Sequence, residues 1–507
     1  MSNFIHEFWR LHASHWNNHL VVRFPPEPNG YLHIGHAKAL LANHDLADAF
    51  GGTLLLRMDD TNPGAERHEY EEAIIEDAKW LGVRFDDRIR YASEHFEDLL
   101  KLAWKMIEHG EAYVDTSPKD MLSAMRGTFN TPGVASVDRD APIDVHKKRF
   151  SKLLSGEIKP GEAVLRAKID MAHPNLVLRD PVLWRGLNTP HPRLPGWVSF
   201  PTYDFAHPFC DLRDGVSLSL CSLEFEERRP LYDHIVARAL DHGFGLDGRA
   251  APRELEFARL EPNVGMTSKR VLREAIERGG MSGWDDPRLL TLRGLRNKGY
   301  TPEMICAFVR RLGVSRSAGV APMEWMDEEV RNAIGNTPAR LVVLDPVPLD
   351  LTGELPGHIK LPDDREMAAS RHLWVGRDDV RATEEPGFRR LCPGKTVRLM
   401  GLGGFAHVDR VICSNDGSIE RVEARYHDEG KAKATVHVLP RETALPVNVS
   451  SVATWDGEGD PALCWKRAPA MMEPDTPSNT PLHAPRVGWG WRVDETEWRL
   501  LAGMVAR

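Results

Sequence analysis

Residues 19–24, HLVVRF, form a short apolar and β-branched run that stops at Pro25-Pro26, the pattern of a buried strand. After Gly30 the chain reads HIGHAKALLANHDLADAF, where apolar residues recur at helical spacing. Gly51-Gly52 closes that helix, and TLLLRM at 53–58 is predicted as a second buried strand, ended by Asp59-Asp60-Thr61-Asn62-Pro63. The alternation predicts a parallel, doubly wound sheet, whose ligands sit at the carboxyl ends of the strands. Arg23, the loop 25–30 and Asp59 occupy those ends and are the first candidates for chemistry.

Helices are predicted at 66–81 and 96–109. Residues 116–201 change character, with more Pro and Gly and short strands such as GEAVLRAKIDM and NLVLRDPVLWR, and are predicted as an insertion. The α/β pattern returns at Tyr203 and continues through a helix at 231–242 to a strand at 254–260. Residues 272–336 are mostly helical, with Trp284-Asp285-Asp286-Pro287 as a turn. From about residue 340 short alternating strands dominate (LVVLDPVPLDL, KTVRLMG, GFAHVDRVICS, IERVEARY, KATVHVL), which predicts an antiparallel β-barrel region. Beyond Val452, Trp455, Trp465, Trp489, Trp491 and Trp498 stand among Pro-rich loops, and no internal repeat is evident.

Composition narrows the class. The chain has 507 residues, 27% charged and 42% hydrophobic, enough for roughly three to four folded domains and too rich in core residues for a disordered or collagen-like protein. The six cysteines (210, 221, 306, 392, 413 and 464) form no C-x-x-C pair, so neither a disulfide framework nor a structural metal is predicted. No apolar run approaches the ~20 residues of a membrane span, and a cytoplasmic protein with no membrane partner is expected. The net charge, 65 − 74 = −9, argues against a protein that coats nucleic acid non-specifically, but not against a local basic surface.

Two features could carry chemistry. His33-Ile34-Gly35-His36 stands at a predicted helix start directly after a strand and a Pro-rich loop. Two imidazoles there, with a glycine that lets another group approach, would place donors and a positive dipole end at a phosphate; the same pair could simply cap the helix. The second is Met266-Thr267-Ser268-Lys269-Arg270 after Asn263-Val264-Gly265, a hydroxyl-bearing, cationic loop suited to polyphosphate, although such a segment is also common as plain solvated surface.

Ordered motifs then accumulate: PPEPNGYLHIGHAK, LRMDDTNP, RGTFNTPG, AVLRAKIDM, RDPVLWR, YDFAHPFCD, LCSLEF, ERRPLYD, MTSKR, GWDDPR and LRGLRNKGY. Over residues 20 to about 450 the chain closely resembles the class I glutaminyl-tRNA synthetases, and VGWGWRVDE reads as a remnant of that family's closing strands. The resemblance implies a multidomain α/β fold: a Rossmann-type catalytic domain (1–115 and 202–270), an acceptor-stem-binding insertion (116–201), a helical subdomain (271–336), and β-barrel anticodon-binding domains (337–507, divergent over 452–507). It implies activation of L-glutamine by ATP with Mg²⁺, transfer to tRNA(Gln), and a monomer.

By motif position, the resemblance places Glu27, Pro28, Asn29, His33, Ile34, Gly35, His36, Ala37, Lys38 and Ala39 at ATP, with Ser222, Arg259 and Leu260 completing the nucleotide pocket. Thr267, Ser268 and Lys269 would hold the pyrophosphate, with His33, His36 and Lys269 as the catalytic groups. Arg23, Asp59 and Tyr203 would meet the amino acid's carboxylate, α-amino group and side-chain amide. A glutamate-charging relative would place a cation where this chain has Cys221, because a carboxylate seeks positive partners. The family usually has Gln where Glu254 stands. Further departures fall on the RNA side: Glu227 replaces an Asp that reads the acceptor stem, and Phe129 replaces a Leu that wedges the first base pair. Arg340 (after Pro338-Ala339), Lys395 and Arg398 are the expected anticodon readers. Four alternatives stay open: a glutamate-charging relative, a truncated tRNA-modifying relative that would lack the barrels, a non-catalytic paralogue, and an enzyme that passes the activated amino acid to a small molecule.

Overall fold

A computed structural model describes residues 3–334, 340–360, 366–400, 402–472, 482–484, 488–492 and 497–501. The chain divides into two units: one runs to Asn263 and takes in Ile305–Ala321, and the other holds Val264–Met304 and the chain from Pro322 onward.

In the first unit, strands β1 (Val21–Phe24), β2 (Thr53–Met58) and β3 (Ile89–Tyr91) pair in parallel, as do β4 (Leu218–Ser222) and β5 (Arg253–Phe257). A backbone bond from Ser217 N to Val21 O (2.8 Å) joins the two sets, giving the order β3-β2-β1-β4-β5. All four residues of β1 are buried, as are five of the six in β2, which is why both read as unbroken apolar runs. Helix α1 (Ile34–Phe50) ends at Gly51, whose φ of +62° suits glycine. Helices α2 (Tyr203–Arg213) and α3 (Arg229–Asp241) follow further along the chain.

The predicted insertion forms an antiparallel sheet of Ala112–Asp115, Val164–Ala167, Val182–Gly186 and Ser199–Pro201. Its Phe150, Trp184 and Phe200 share one apolar core with Phe96 and Leu99 of the preceding helix and Phe205 of α2, which fixes the insertion to the parallel-sheet layer.

The helical stretch predicted at 271–336 is divided between the units. Its residues 305–321 are tied to the first unit by three kinds of contact. Val320–Ala321 pairs with Glu261–Pro262, Ala258 N donates to Ser315 O (2.7 Å), and Arg310 forms a two-pronged pair with Asp45 (2.8 and 2.9 Å). Such long-range pairing leaves no trace in local periodicity.

The second unit is rich in β-structure. A seven-stranded sheet includes Pro346–Thr352, where buried and half-buried residues alternate, together with Thr396–Met400, Phe405–Cys413 and Ile419–His427. A closed barrel is built from Arg340–Leu344, Leu445–Val452, Trp465–Met472, Leu482–Ala484, Gly488–Arg492 and Glu497–Leu501. The tryptophan-bearing tail thus supplies four of the six barrel strands, and the VGWGWRVDE remnant contains one of them, Gly488–Arg492. Pro338 and Ala339 lie outside the described residues. Among the described residues no helix is long and apolar enough to cross a membrane.

Candidate active site

The first turn of α1 is built by its two histidines. His33 is the N-cap residue: its Nδ1 accepts from Gly35 N (3.1 Å), while the Nδ1 of His36 accepts from His33 N (3.2 Å), a reciprocal capping box. With Nδ1 an acceptor in both rings, each neutral imidazole carries its proton on Nε2. The cap engages Nδ1 of each ring. Gly35 has a nearer cause than an approaching ligand, since a Cβ there would lie 2.9 Å from His33 Cε1 and 3.0 Å from its Nδ1.

The other residues assigned to ATP separate into kinds. Ile34 and Ala37 are 0% exposed, so neither presents surface to a nucleotide and both pack the helix from beneath. Lys38 is buried, its Nζ donating to Ala258 O (2.7 Å) above the Phe257 ring, and burial lowers its pKa. It ties α1 to the segment after β5 that carries Arg259 and the buried Leu260. Arg259 pairs with Glu224 and with Glu261 (2.7 Å). In the loop after β1, Glu27 accepts from Asn62 Nδ2 (3.3 Å), the buried Pro28 carbonyl accepts from Arg67 N (3.1 Å), and Asn29 N donates to Glu27 O (2.8 Å). Ala39 and Ser222 are half-buried, Ser222 at the carboxyl end of β4.

Beside these strand ends lies a cavity of about 540 Å³ bounded in part by Arg23, Glu27, Asp59, Tyr203, Cys221 and Arg228. Four of the five residues expected at the amino acid thus share one cavity, although β1, β2, α2 and β4 each deliver one of them. Arg23 is 0% exposed and pairs with neither Asp59 nor Asp60. Its Nε donates to Asp211 (3.1 Å), Nη1 to Leu220 O (3.0 Å) and Nη2 to Ser219 Oγ (2.7 Å), with Cys221 Sγ at 3.6 Å. Asp59 pairs with the buried Arg57 (3.0 Å), which also meets Asp211 (2.8 Å) and Asp214 (3.0 Å). One oxygen of Asp211 therefore serves both arginines, linking Arg23 of β1 to the Arg57–Asp59 pair at the end of β2. Asp59 Oδ2 is buried without a hydrogen-bond partner. Burial and the nearby Asp59 push the Tyr203 phenol up, so it stays neutral and able to donate. The fifth residue, Glu254, stands behind this wall, 1% exposed. Arg57, His207 and Asp211 were missed from sequence. His207 and Asp211 lie within the quoted YDFAHPFCD, but nothing local signals their charge pairing.

A family model described as tRNA synthetases class I (E and Q), catalytic domain, matches residues 19–332, and one for the anti-codon binding domain of the same class matches 338–427. The chain belongs to this family. A glutamine-tRNA ligase of Clostridium kluyveri is 38% identical over 452 residues, 85% of this chain and 80% of its own. Another, from Pseudomonas putida, is 40% identical over 452 residues, 85% of this chain and 78% of its own. Among solved structures, a glutamate-tRNA synthetase from Elizabethkingia anophelis aligns with a TM-score of 0.45 and 20% identity, over 62% of this chain and 70% of that one.

Elsewhere in this class I synthetase, Phe129 occupies the tip of a tight turn closed by Thr128 and Thr131, and is 73% exposed. Arg179 braces the turn by donating to the carbonyls of Arg126 (2.8 Å), Thr128 (3.0 Å) and Thr131 (2.8 Å). Glu227 is exposed, and its backbone carbonyl accepts from Asn175 Nδ2 (2.6 Å).

In the second unit Lys269 is the first residue of helix α4 (Lys269–Glu277), with Ser268 at the N-cap and Thr267 half-buried before it. Arg340 begins a barrel strand, Lys395 pairs with Glu384, and Arg398 is exposed on Thr396–Met400. A groove of about 420 Å³ lies along the same sheet, lined by Phe388, Arg389, Arg390, Lys433 and Thr435 among others. Thr435 is the register partner of Arg398. Arg390 lies 3.6 Å from Asp379, and the Arg381 guanidinium sits 4.8 Å from the centre of the Phe388 ring. Among the described residues Arg389 and Lys433 have no ion-pair partner. Sequence reading passed over these groove cations, whose only local signal is an aromatic beside two arginines in GFRR.

Proposed function

We propose that this class I synthetase is a glutamine-tRNA ligase that activates L-glutamine with ATP, taken as its magnesium complex, and esterifies tRNA(Gln). The observation that carries glutamine over glutamate is the charge around the cavity. Its wall has two arginines, Arg23 and Arg228, and three carboxylates, Glu27, Asp59 and Glu224. Both arginines are already paired, with Asp211 and Asp204, and two of the carboxylates are paired as well, Asp59 with Arg57 and Glu224 with Arg259, so the wall holds no uncommitted cation. Such a wall suits an ammonium and a neutral amide and opposes a second carboxylate on the substrate.

The bound glutamine carboxylate attacks the α-phosphorus of ATP and pyrophosphate leaves; a terminal ribose hydroxyl of the tRNA then attacks the acyl carbon and AMP leaves. Asp59, with its unpartnered Oδ2, takes the α-amino group, Arg23 the carboxylate, and Tyr203 the side-chain amide, beside Cys221. The Nε2–H groups of His33 and His36 meet charge developing at the α-phosphate, while Thr267, Ser268 and Lys269 take the pyrophosphate. Glu27, Pro28, Asn29, Ile34, Gly35, Ala37, Lys38, Ala39, Ser222, Arg259 and Leu260 frame the nucleotide, Lys38 through its hold on Ala258. Phe129 and Glu227 of the first unit take the acceptor end. Arg340, Lys395 and Arg398 take the anticodon, joined by Phe388, Arg389, Arg390 and Lys433, whose aromatic and cationic groove suits unpaired nucleotides. The enzyme is taken to act in the cytoplasm as a monomer.

The test is charging of tRNA with labelled glutamine and, separately, glutamate, by the native chain and by Cys221→Arg. Glutamine alone is expected to be charged, and the added cation is expected to move the preference toward glutamate by about tenfold or more. Equal charging of both amino acids by the native chain would refute the charge argument.

A further inference from the structure

Glu254 of β5 is 1% exposed and stands opposite Ser219 of β4 in the parallel register. Its Oε1 is buried and has no hydrogen-bond partner. With Tyr203, His207, Phe225, Arg228 and Tyr232, among others, it bounds a void of about 10 Å³. Tyr203, Phe225 and Arg228 also bound the glutamine cavity, so this carboxyl stands one layer behind the substrate.

The charged groups facing it are committed elsewhere. From α2, Asp204 pairs with Arg228, and Asp211 pairs with His207 (3.1 Å) and with Arg23 of β1 (3.1 Å). From α3, Arg229 pairs with Glu256 (3.1 Å), and the Tyr232 hydroxyl donates to Asp211 (3.0 Å). β4 presents the Cys221 thiol, and β5 itself carries Glu256 two residues on. Among the described residues, no Lys, Arg or His lies within ion-pair distance of Glu254. An isolated carboxylate in such a place is strongly disfavoured against its neutral acid. Burial pushes the Glu254 carboxyl up, and the pull of His207 and Cys221 in the other direction does not cancel it.

We propose that Glu254 works as a neutral carboxylic acid, a positioning residue that braces the wall of the glutamine cavity as an uncharged group, and that its ionisation weakens glutamine binding. The proposal rests on the cavity being the glutamine site. A protonated carboxyl offers one donor and one acceptor, much as an amide does, and leaves Arg23 and His207 to Asp211. Ionised, it competes with Asp211 for those two cations, one of which lines the cavity, and adds a negative charge behind a wall that already opposes one.

Two measurements test this: KM for glutamine and kcat in charging from about pH 5, just above the ordinary glutamate value, to about pH 9, for the native chain and Glu254→Gln, and infrared difference spectra of both. The native KM is expected to climb by up to about tenfold per pH unit once Glu254 ionises, with kcat changing less, a rise that the Glu254→Gln profile lacks. Burial also pushes the Asp60 and Glu66 carboxyls up, to about 7 and about 8, so the native spectrum minus that of Glu254→Gln is expected to show one further protonated-acid C=O band that fades as pH rises. A shared KM profile for the two proteins, or no such band at any pH, would overturn the proposal. A native chain that charges no glutamine at any pH would instead overturn the glutamine assignment, and the infrared band would still decide whether Glu254 holds its proton.

Discussion

Arg23, in the wall of the cavity beside the parallel-sheet strand ends, is 0% exposed, pairs with Asp211 and donates to Leu220 O and Ser219 Oγ. Arg389, in the groove of the β-rich unit, is exposed and has no ion-pair partner among the described residues. The first is held by a network in which Asp211 also serves Arg57, His207 and Tyr232, so its value to a ligand is geometric. The second keeps its charge for whatever anion arrives. Buried cations of the first kind couple binding to fold stability and pH, whereas exposed cations of the second kind couple it to salt.

The largest effect should come from breaking the buried network. Asp211→Asn leaves Arg23 and Arg57 short of a shared carboxylate, and loss of one partner from a buried pair costs about 3–5 kcal/mol, measurable by urea unfolding. Acid should mimic it. Burial alone would raise the Asp211 carboxyl, but Arg23 and Arg57 overcome this and hold it well below the usual carboxylate range. A lowered folded-state value gives stability that is present above the unfolded value of about 3.9 and is lost as pH falls through the folded one. Native stability should therefore decline on acidification below about pH 4, and less steeply in Asp211→Asn. Equal stability of the two proteins at neutral pH would mean the network is no stronger than a surface pair.

Lys269 comes next. It is half-buried at the start of α4, between the two extremes. If Lys269 takes the pyrophosphate as proposed, it binds leaving-group charge more strongly in the transition state than in the ground state, and Lys269→Ala is expected to slow glutamine-dependent pyrophosphate exchange by about 10²-fold or more. An unchanged exchange rate would remove that role.

The same contrast explains what could be read in the sequence. β1, β2 and α1 were legible because burial on both faces, helical spacing and a glycine stop are local signals. His33 and His36 were legible as a site and also as a cap, and they do cap. Asp211 as a hub was not legible, because its partner Arg23 lies 188 residues away and no local pattern encodes pairing at that range. Residues 305–321 were read with their helical neighbours, although their strand pairing with Glu261–Pro262 and the Arg310–Asp45 pair place them in the first unit. The tail beyond Val452 looked divergent because its barrel strands are short and separated by Pro-rich segments. Trp465–Met472 becomes a strand by pairing with Leu445–Val452 on one side and with Arg340–Leu344, more than 100 residues earlier in the chain, on the other.

The smallest predicted effect lies in the groove and is best read as a slope. If Arg389 and Lys433 each neutralise one phosphate of unpaired tRNA nucleotides, log affinity against log salt should fall less steeply by about 0.7 for each cation removed. Arg389→Ala with Lys433→Ala should thus flatten the plot by about 1.4 and weaken tRNA binding most at low salt. Phe388→Ala should behave differently: loss of a stacking face lowers affinity by about 1–3 kcal/mol with little change of slope. Titrating labelled tRNA at several salt concentrations separates the two signatures. A double variant whose slope matches the native chain would show that these unpaired cations are ordinary solvated charge, and the contrast with Arg23 would then be one of burial alone.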